Sequence, residues 1–121
     1  MNETRKALKR QYKDRKKVAG VWHIKNIPED KEFLGSSLDL QNRLNGQEVR
    51  LKAGMHPNKA LQEDFDRLGR GAFVIEVIET VKPRNEPGFD VKRELEKLER
   101  RYLTEADPSR TYNQHDRIRF G

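Results

Sequence analysis

The run Gly20–Gly35, GVWHIKNIPEDKEFLG, constrains the chain more than any other stretch. Val21, Trp22 and Ile24 are β-branched or aromatic, and such side chains fit an extended, pleated backbone better than a helix. Phe33 and Leu34 repeat the pattern nine or more residues on. Between the two runs, Pro28-Glu29-Asp30-Lys31 combines the fixed φ of proline with an aspartate whose short side chain can bond its own backbone, which favours a reversal. The stretch reads as a β-hairpin.

The chain has 121 residues, enough for one domain. Hydrophobic residues make up 33% and charged residues 38%, which implies a small core under a densely ionic surface. Without cysteine there is no disulfide framework and no thiolate metal site. No apolar run approaches the roughly 18 residues that span a bilayer, and the first residues are charged, unlike a secretory leader. The expectation is a soluble cytoplasmic protein with no membrane role. Its net charge of +6 is concentrated: Met1–Lys17 holds eight Lys/Arg against Glu3 and Asp14, and the remainder balances. Arg5, Lys6, Lys9, Arg10, Lys13, Lys16 and Lys17 make a basic arm suited to a phosphate backbone. The alternative is a solvated helix that aids solubility.

Along the chain, Glu3 to Lys17 has helical composition with a thin stripe, Leu8 and Tyr12. After the hairpin, Ser37 can cap a helix carrying Leu40 and Leu44, with Arg43 and Gln47 on one face and Arg50 a further turn along. Asn45-Gly46 is its weak point. Pro57 can open a second helix in which Leu61, Phe65 and Leu68 recur, ended by Gly69. Phe73–Val81 has apolar residues on both alternating faces, which predicts a central strand covered on two sides. Asp90 can cap a third helix, whose stripe of Val91, Leu95, Leu98 and Tyr102 is bordered by Glu99. The order β-β-α-α-β-α predicts an α+β fold, a small three-stranded antiparallel sheet flanked by helices. The expected divisions are a basic helical arm over 1–17, the folded domain over 18–113 and a basic tail over 114–121.

Several of these residues, taken together, resemble the GIY-YIG nuclease family. Gly20-Val21-Trp22 and Phe33-Leu34-Gly35 occupy the places of its two tripeptides, and Arg43 follows Gly35 by eight residues, the family interval. Gly54-Met55-His56, Leu61-Gln62, the strand after Gly69, Glu99-Arg100-Arg101-Tyr102 and Tyr112-Asn113 resemble its later segments in order. The resemblance implies a DNA endonuclease using one Mg²⁺ or Mn²⁺ and no small-molecule cofactor. Glu99 would hold the metal, Arg43 would steady the phosphoryl oxygens, and His56 and Asn113 would position the site. Arg50 would join the basic arm on DNA. The departures concern proton transfer. Trp22 and Phe33 stand where the family has tyrosines, and Gln47 stands where its homing-endonuclease branch often has histidine. None of the three can act as a base. Three readings follow: a nuclease with altered or weakened catalysis, a DNA-binding regulatory protein without cleavage, and a protein-interaction module with a vestigial site.

Overall fold

The structure, a computed structural model, describes residues 16–113. The tail expected over 114–121, and all but the last two residues of the arm expected over 1–17, lie outside the described residues. Strands β1 (Gly20–Asn26) and β2 (Lys31–Ser37) form the expected hairpin. Their antiparallel register sets Trp22 opposite Gly35 and Ile24 opposite Phe33. At the turn, the Asn26 side chain accepts from the Glu29 backbone N–H at 3.2 Å. Asp30 there takes a left-handed φ of 52°, which its short polar side chain tolerates.

Helix α1 (Leu40–Lys52) is capped by Asp39, whose carboxylate accepts from the Asn42 N–H. Ser37 therefore lies upstream of the cap it was expected to provide; its hydroxyl instead accepts from Asp39 N at 3.0 Å and tightens the turn into the helix. Asn45-Gly46 does not interrupt α1, because Leu40, Gln47 and Leu51 anchor it on both sides of that pair. Helix α2 (Lys59–Leu68) starts on Asn58, whose Oδ1 accepts from Leu61 N at 3.1 Å. Pro57 precedes that cap instead of opening the helix. Gly69, at φ 85°, ends it as expected.

Strand β3 (Phe73–Thr80) pairs antiparallel with β1, so the strand order is β2-β1-β3. The central strand is β1, and β3 is an edge, contrary to the expectation from its composition. Val74 and Val77 are 38% and 41% exposed. A bulge explains part of the misreading: Val21 pairs with Glu79 but Trp22 pairs with Val77, which leaves Ile78 between them and shifts the alternation.

The two faces of the sheet are covered differently. Trp22 and Ile24 share a core with Leu40, Leu51, Leu61, Phe65, Phe73 and Tyr112, under α1 and α2. Helix α3 (Val91–Glu105), capped by Asp90 as expected, lies across β1 and β2 on the other face. Val21 and Leu34 point to that side, and Leu95 is buried there. A short 3₁₀ turn, Pro108–Arg110, leads to Thr111, which bridges in parallel to Glu32 on the free edge of β2. No described helix is long and apolar enough to cross a membrane.

Candidate functional site

The aromatic positions of the hairpin are packed, not presented. Trp22 is 3% exposed. Its ring meets Phe33 edge-on at 5.7 Å between centroids, and Phe33 meets the His56 ring at 5.4 Å. The indole lies so close to Gly35 that a Cβ there would collide with Cζ2 and Cε2. Gly20 is equally constrained, since a Cβ would meet the Glu79 carbonyl. Trp22 Nε1 is buried with no hydrogen-bond partner among the described residues. Such a group costs about 1–3 kcal/mol, which the packing of the ring must offset.

His56 belongs to this packed side. Its Nδ1 accepts from the Asn58 backbone N–H at 3.0 Å, so Nε2 carries the proton and donates to Gln47 Oε1 at 2.6 Å. Its own backbone N–H donates to Gln62 Oε1 at 3.0 Å. Burial pushes the imidazole below its ordinary pKa and keeps it neutral. With both nitrogens engaged, His56 ties the loop before α2 to α1. Gln47 is the buried acceptor of that tie, although it shares a helix with the exposed Arg43.

Arg43 lies in the open. A groove of about 800 Å³ runs where β2 ends, between α1 and α3, lined by Ser36, Ser37, Asn42, Arg43, Arg50 and Lys92, among others. Among the described residues, the side chains of Arg43, Arg50 and Lys92 have no ion pair or hydrogen bond. Glu99 stands on α3 one turn beyond Leu95, which lines the groove. It is joined to the groove wall by Ser36, whose hydroxyl donates to Glu99 Oε2 at 2.5 Å. Oε1 has no hydrogen-bond partner among the described residues. The described residues contain no cluster of three or more His, Asp or Glu that could hold a metal. Asp39 and Glu96 also line the groove; a cation held by Glu99 Oε1 alone would otherwise have water, which fits Mg²⁺, an ion that dehydrates reluctantly and keeps several waters.

Asn113 and His56 do not line the groove. Asn113 accepts from Leu34 N–H and donates to Leu34 C=O, both at 2.7 Å, so its amide pairs with β2 as a strand neighbour would. Tyr112 is buried beside it. Its hydroxyl donates to Asp64 Oδ2 at 2.7 Å and accepts from Asn26 Nδ2 at 3.1 Å. Burial and then the Asp64 carboxylate push this phenol well above its ordinary pKa. His23 points away from Trp22, as strand alternation requires, and its ring nitrogens meet Glu32 at 2.9 Å and Glu76 at 2.8 Å.

No family model and no curated protein matches the sequence. Solved structures do match. The catalytic domain of intron endonuclease I-TevI, as a glutamate-to-alanine variant, superposes with a TM-score of 0.63 at 23% identity, over 79% of this chain and 92% of that one. A second structure of the catalytic domain of homing endonuclease I-TevI gives a TM-score of 0.57 at 24% identity, over 72% and 86%. The fold is that of a GIY-YIG nuclease. Within the GIY-YIG frame, the tyrosine positions Trp22 and Phe33 and the loop residue His56 form one continuous packed wall. The arginine position lines the groove instead, and the glutamate position is tied to its wall through Ser36. Ser36 was given no role from the sequence, and Lys92 was not singled out. Ser36 directly follows the motif glycine Gly35, on the strand face opposite Trp22, and that placement was a signal for it. Lys92, in the first turn of α3, had none.

Proposed function

We propose that the protein is a divalent-metal-dependent nuclease acting on DNA phosphodiesters, with weakened proton transfer. One observation carries this reading: a guanidinium without a partner among the described residues lines a groove, and Ser36 in the wall of that groove holds a carboxylate from a second helix with one oxygen unengaged. Arg43 would bind and neutralise the phosphoryl oxygens as charge develops on them. Glu99, held in one rotamer by the Ser36 hydroxyl, would hold the cation through Oε1. A bound Mg²⁺ or Mn²⁺ would supply Lewis acidity and a more acidic water. Arg50 and Lys92 would hold the neighbouring phosphates. Among the described residues no histidine or tyrosine lines the groove, and general-base help is ordinarily worth about 10²–10⁴-fold, so turnover is expected to be slow.

Binding to DNA without cleavage is the second reading, and the locked state of Trp22 and His56 favours it. Supercoiled plasmid incubated with Mg²⁺ or Mn²⁺ separates the two. Nicking by the wild-type chain should fall about 10²–10³-fold in both Arg43→Ala and Glu99→Ala. Nicking that survives both substitutions, or that never occurs with any divalent ion, would overturn the nuclease reading.

A further inference from the structure

The cations of the described residues differ in whether a carboxylate answers them. Lys25, Lys31, Arg67 and Arg110, around the hairpin tip and α2, all lie within 4 Å of a carboxylate. Lys59 on α2 has no ion pair among the described residues, and around α3 paired and unpaired cations stand together. Arg43, Arg50 and Lys92 on one flank have no ion pair among the described residues, and the same is true of Lys82 and Arg84 on the other. That second flank is a groove of about 670 Å³ between α3 and the end of β3, lined by Lys82, Arg84, Phe89, Lys97 and Arg101, among others. Lys97 and Arg101 there are bonded to Glu94 and Glu79, so the uncompensated charge comes from Lys82 and Arg84. Between the grooves α3 presents an exposed ridge of Arg93, Glu96, Lys97, Arg100 and Thr104, at the spacing of one helix face. Arg93 and Arg100 on that ridge are also without ion pairs among the described residues.

We propose that α3 seats in the major groove of duplex DNA, with one strand's phosphates in the Arg43 groove and the other strand's in the Lys82–Arg84 groove. The inference rests on the DNA-directed reading above and names its substrate class: double-stranded, held by both backbones. The dimensions agree. A helix with side chains is about 10–12 Å across, and the major groove is about 12 Å wide. Cationic tracks on both sides of such a helix would face the two phosphate rims. Arg93 and Arg100 are about 10 Å apart along the axis, close to three base steps. Each carries the planar fork that pairs with guanine O6 and N7. The ridge would therefore supply sequence preference, and the two tracks affinity.

The test is titration of the full chain with a short fluorescein-labelled duplex and with its single strand, across a range of salt. The double variant Lys82→Ala/Arg84→Ala should weaken duplex binding about tenfold and lower the salt slope by about 2. Arg93→Ala/Arg100→Ala should flatten the preference between duplex sequences. Methylation of guanine N7 should block binding, a minor-groove ligand such as distamycin should not compete, and Lys59→Ala on α2 should bind as wild type. If Lys82→Ala/Arg84→Ala binds normally while Arg43→Ala/Arg50→Ala does not, the DNA reading survives and the two-track seating is overturned. Competition by distamycin with no effect of N7 methylation overturns it too. Failure of the wild-type chain to bind any DNA removes the functional reading itself, and this seating with it.

Discussion

Alternate residues of one hairpin serve opposite purposes. Toward α1 and α2, Phe33 packs edge-on between Trp22 and His56, and every polar atom of the His56 ring is spent on structure. Toward α3, Ser36 meets a carboxylate with one unengaged oxygen, beside a groove whose arginines and lysine lack ion pairs among the described residues. The contrast separates two requirements of phosphoryl transfer. The means of holding charge is open to solvent, and the positions that would move a proton are part of the core.

The comparison breaks most visibly through activity. Arg43→Ala and Glu99→Ala, both outside the core, should lower nicking about 10²–10³-fold while leaving the melting curve in place, because neither side chain packs the interior. Gly35→Ala should do the opposite. A methyl group pressed into the Trp22 indole should cost about 3 kcal/mol in chemical denaturation, as overpacking does. Adding Trp22→Phe should recover part of that loss, a coupling that a double-mutant cycle reads directly. Asn113→Ala leaves the Leu34 N–H and C=O without their partner and should cost about 2 kcal/mol, measured the same way.

The smallest expected effect concerns pH. His56 has a folded pKa below its ordinary value of about 6.5, so on acidification the unfolded chain takes up that proton first. Stability should be level above about 6.5 and decline from there to the folded pKa. Subtracting the curve of His56→Gln should remove this limb. Glu79, held low by the Tyr102 hydroxyl, acts only in more acidic solution and should not interfere.

Much of the fold was legible because its signals are local. The hairpin turn, the Asp90 cap, the Gly69 terminus and the 4,3,4 stripe of α3 each depend on a few neighbouring residues. Strand order is not local. The apolar residues of β3 read as central, yet Glu76, Glu79 and Thr80 in the same strand were the mark of an edge, and the Ile78 bulge hid the true alternation. In the site, the Gly35-to-Arg43 interval and the position of Glu99 on α3 were readable. That His56 has no nitrogen to spare was not, because its partners come from two other elements. Nor could sequence distinguish Arg67, held by Glu29 and Asp64, from Arg43, since identical side chains differ only in what lies across from them. Lys82 and Arg84 escaped notice for a related reason: they stand in a loop and become part of a groove only when α3 folds back beside β3.

The staple between Asn113 and Leu34 also bears on the order of assembly. Its two bonds join residues 79 apart in the chain, and the edge of β2 they complete is the strand that carries Gly35 and Ser36. During synthesis the hairpin and α1 emerge long before their closing partner, and a contact so distant can form only after most of the loop entropy has been overcome. The wall of the groove should therefore be among the last parts of the molecule to become rigid. Ribosome-bound chains halted before Tyr112 would carry a folded hairpin without a finished site.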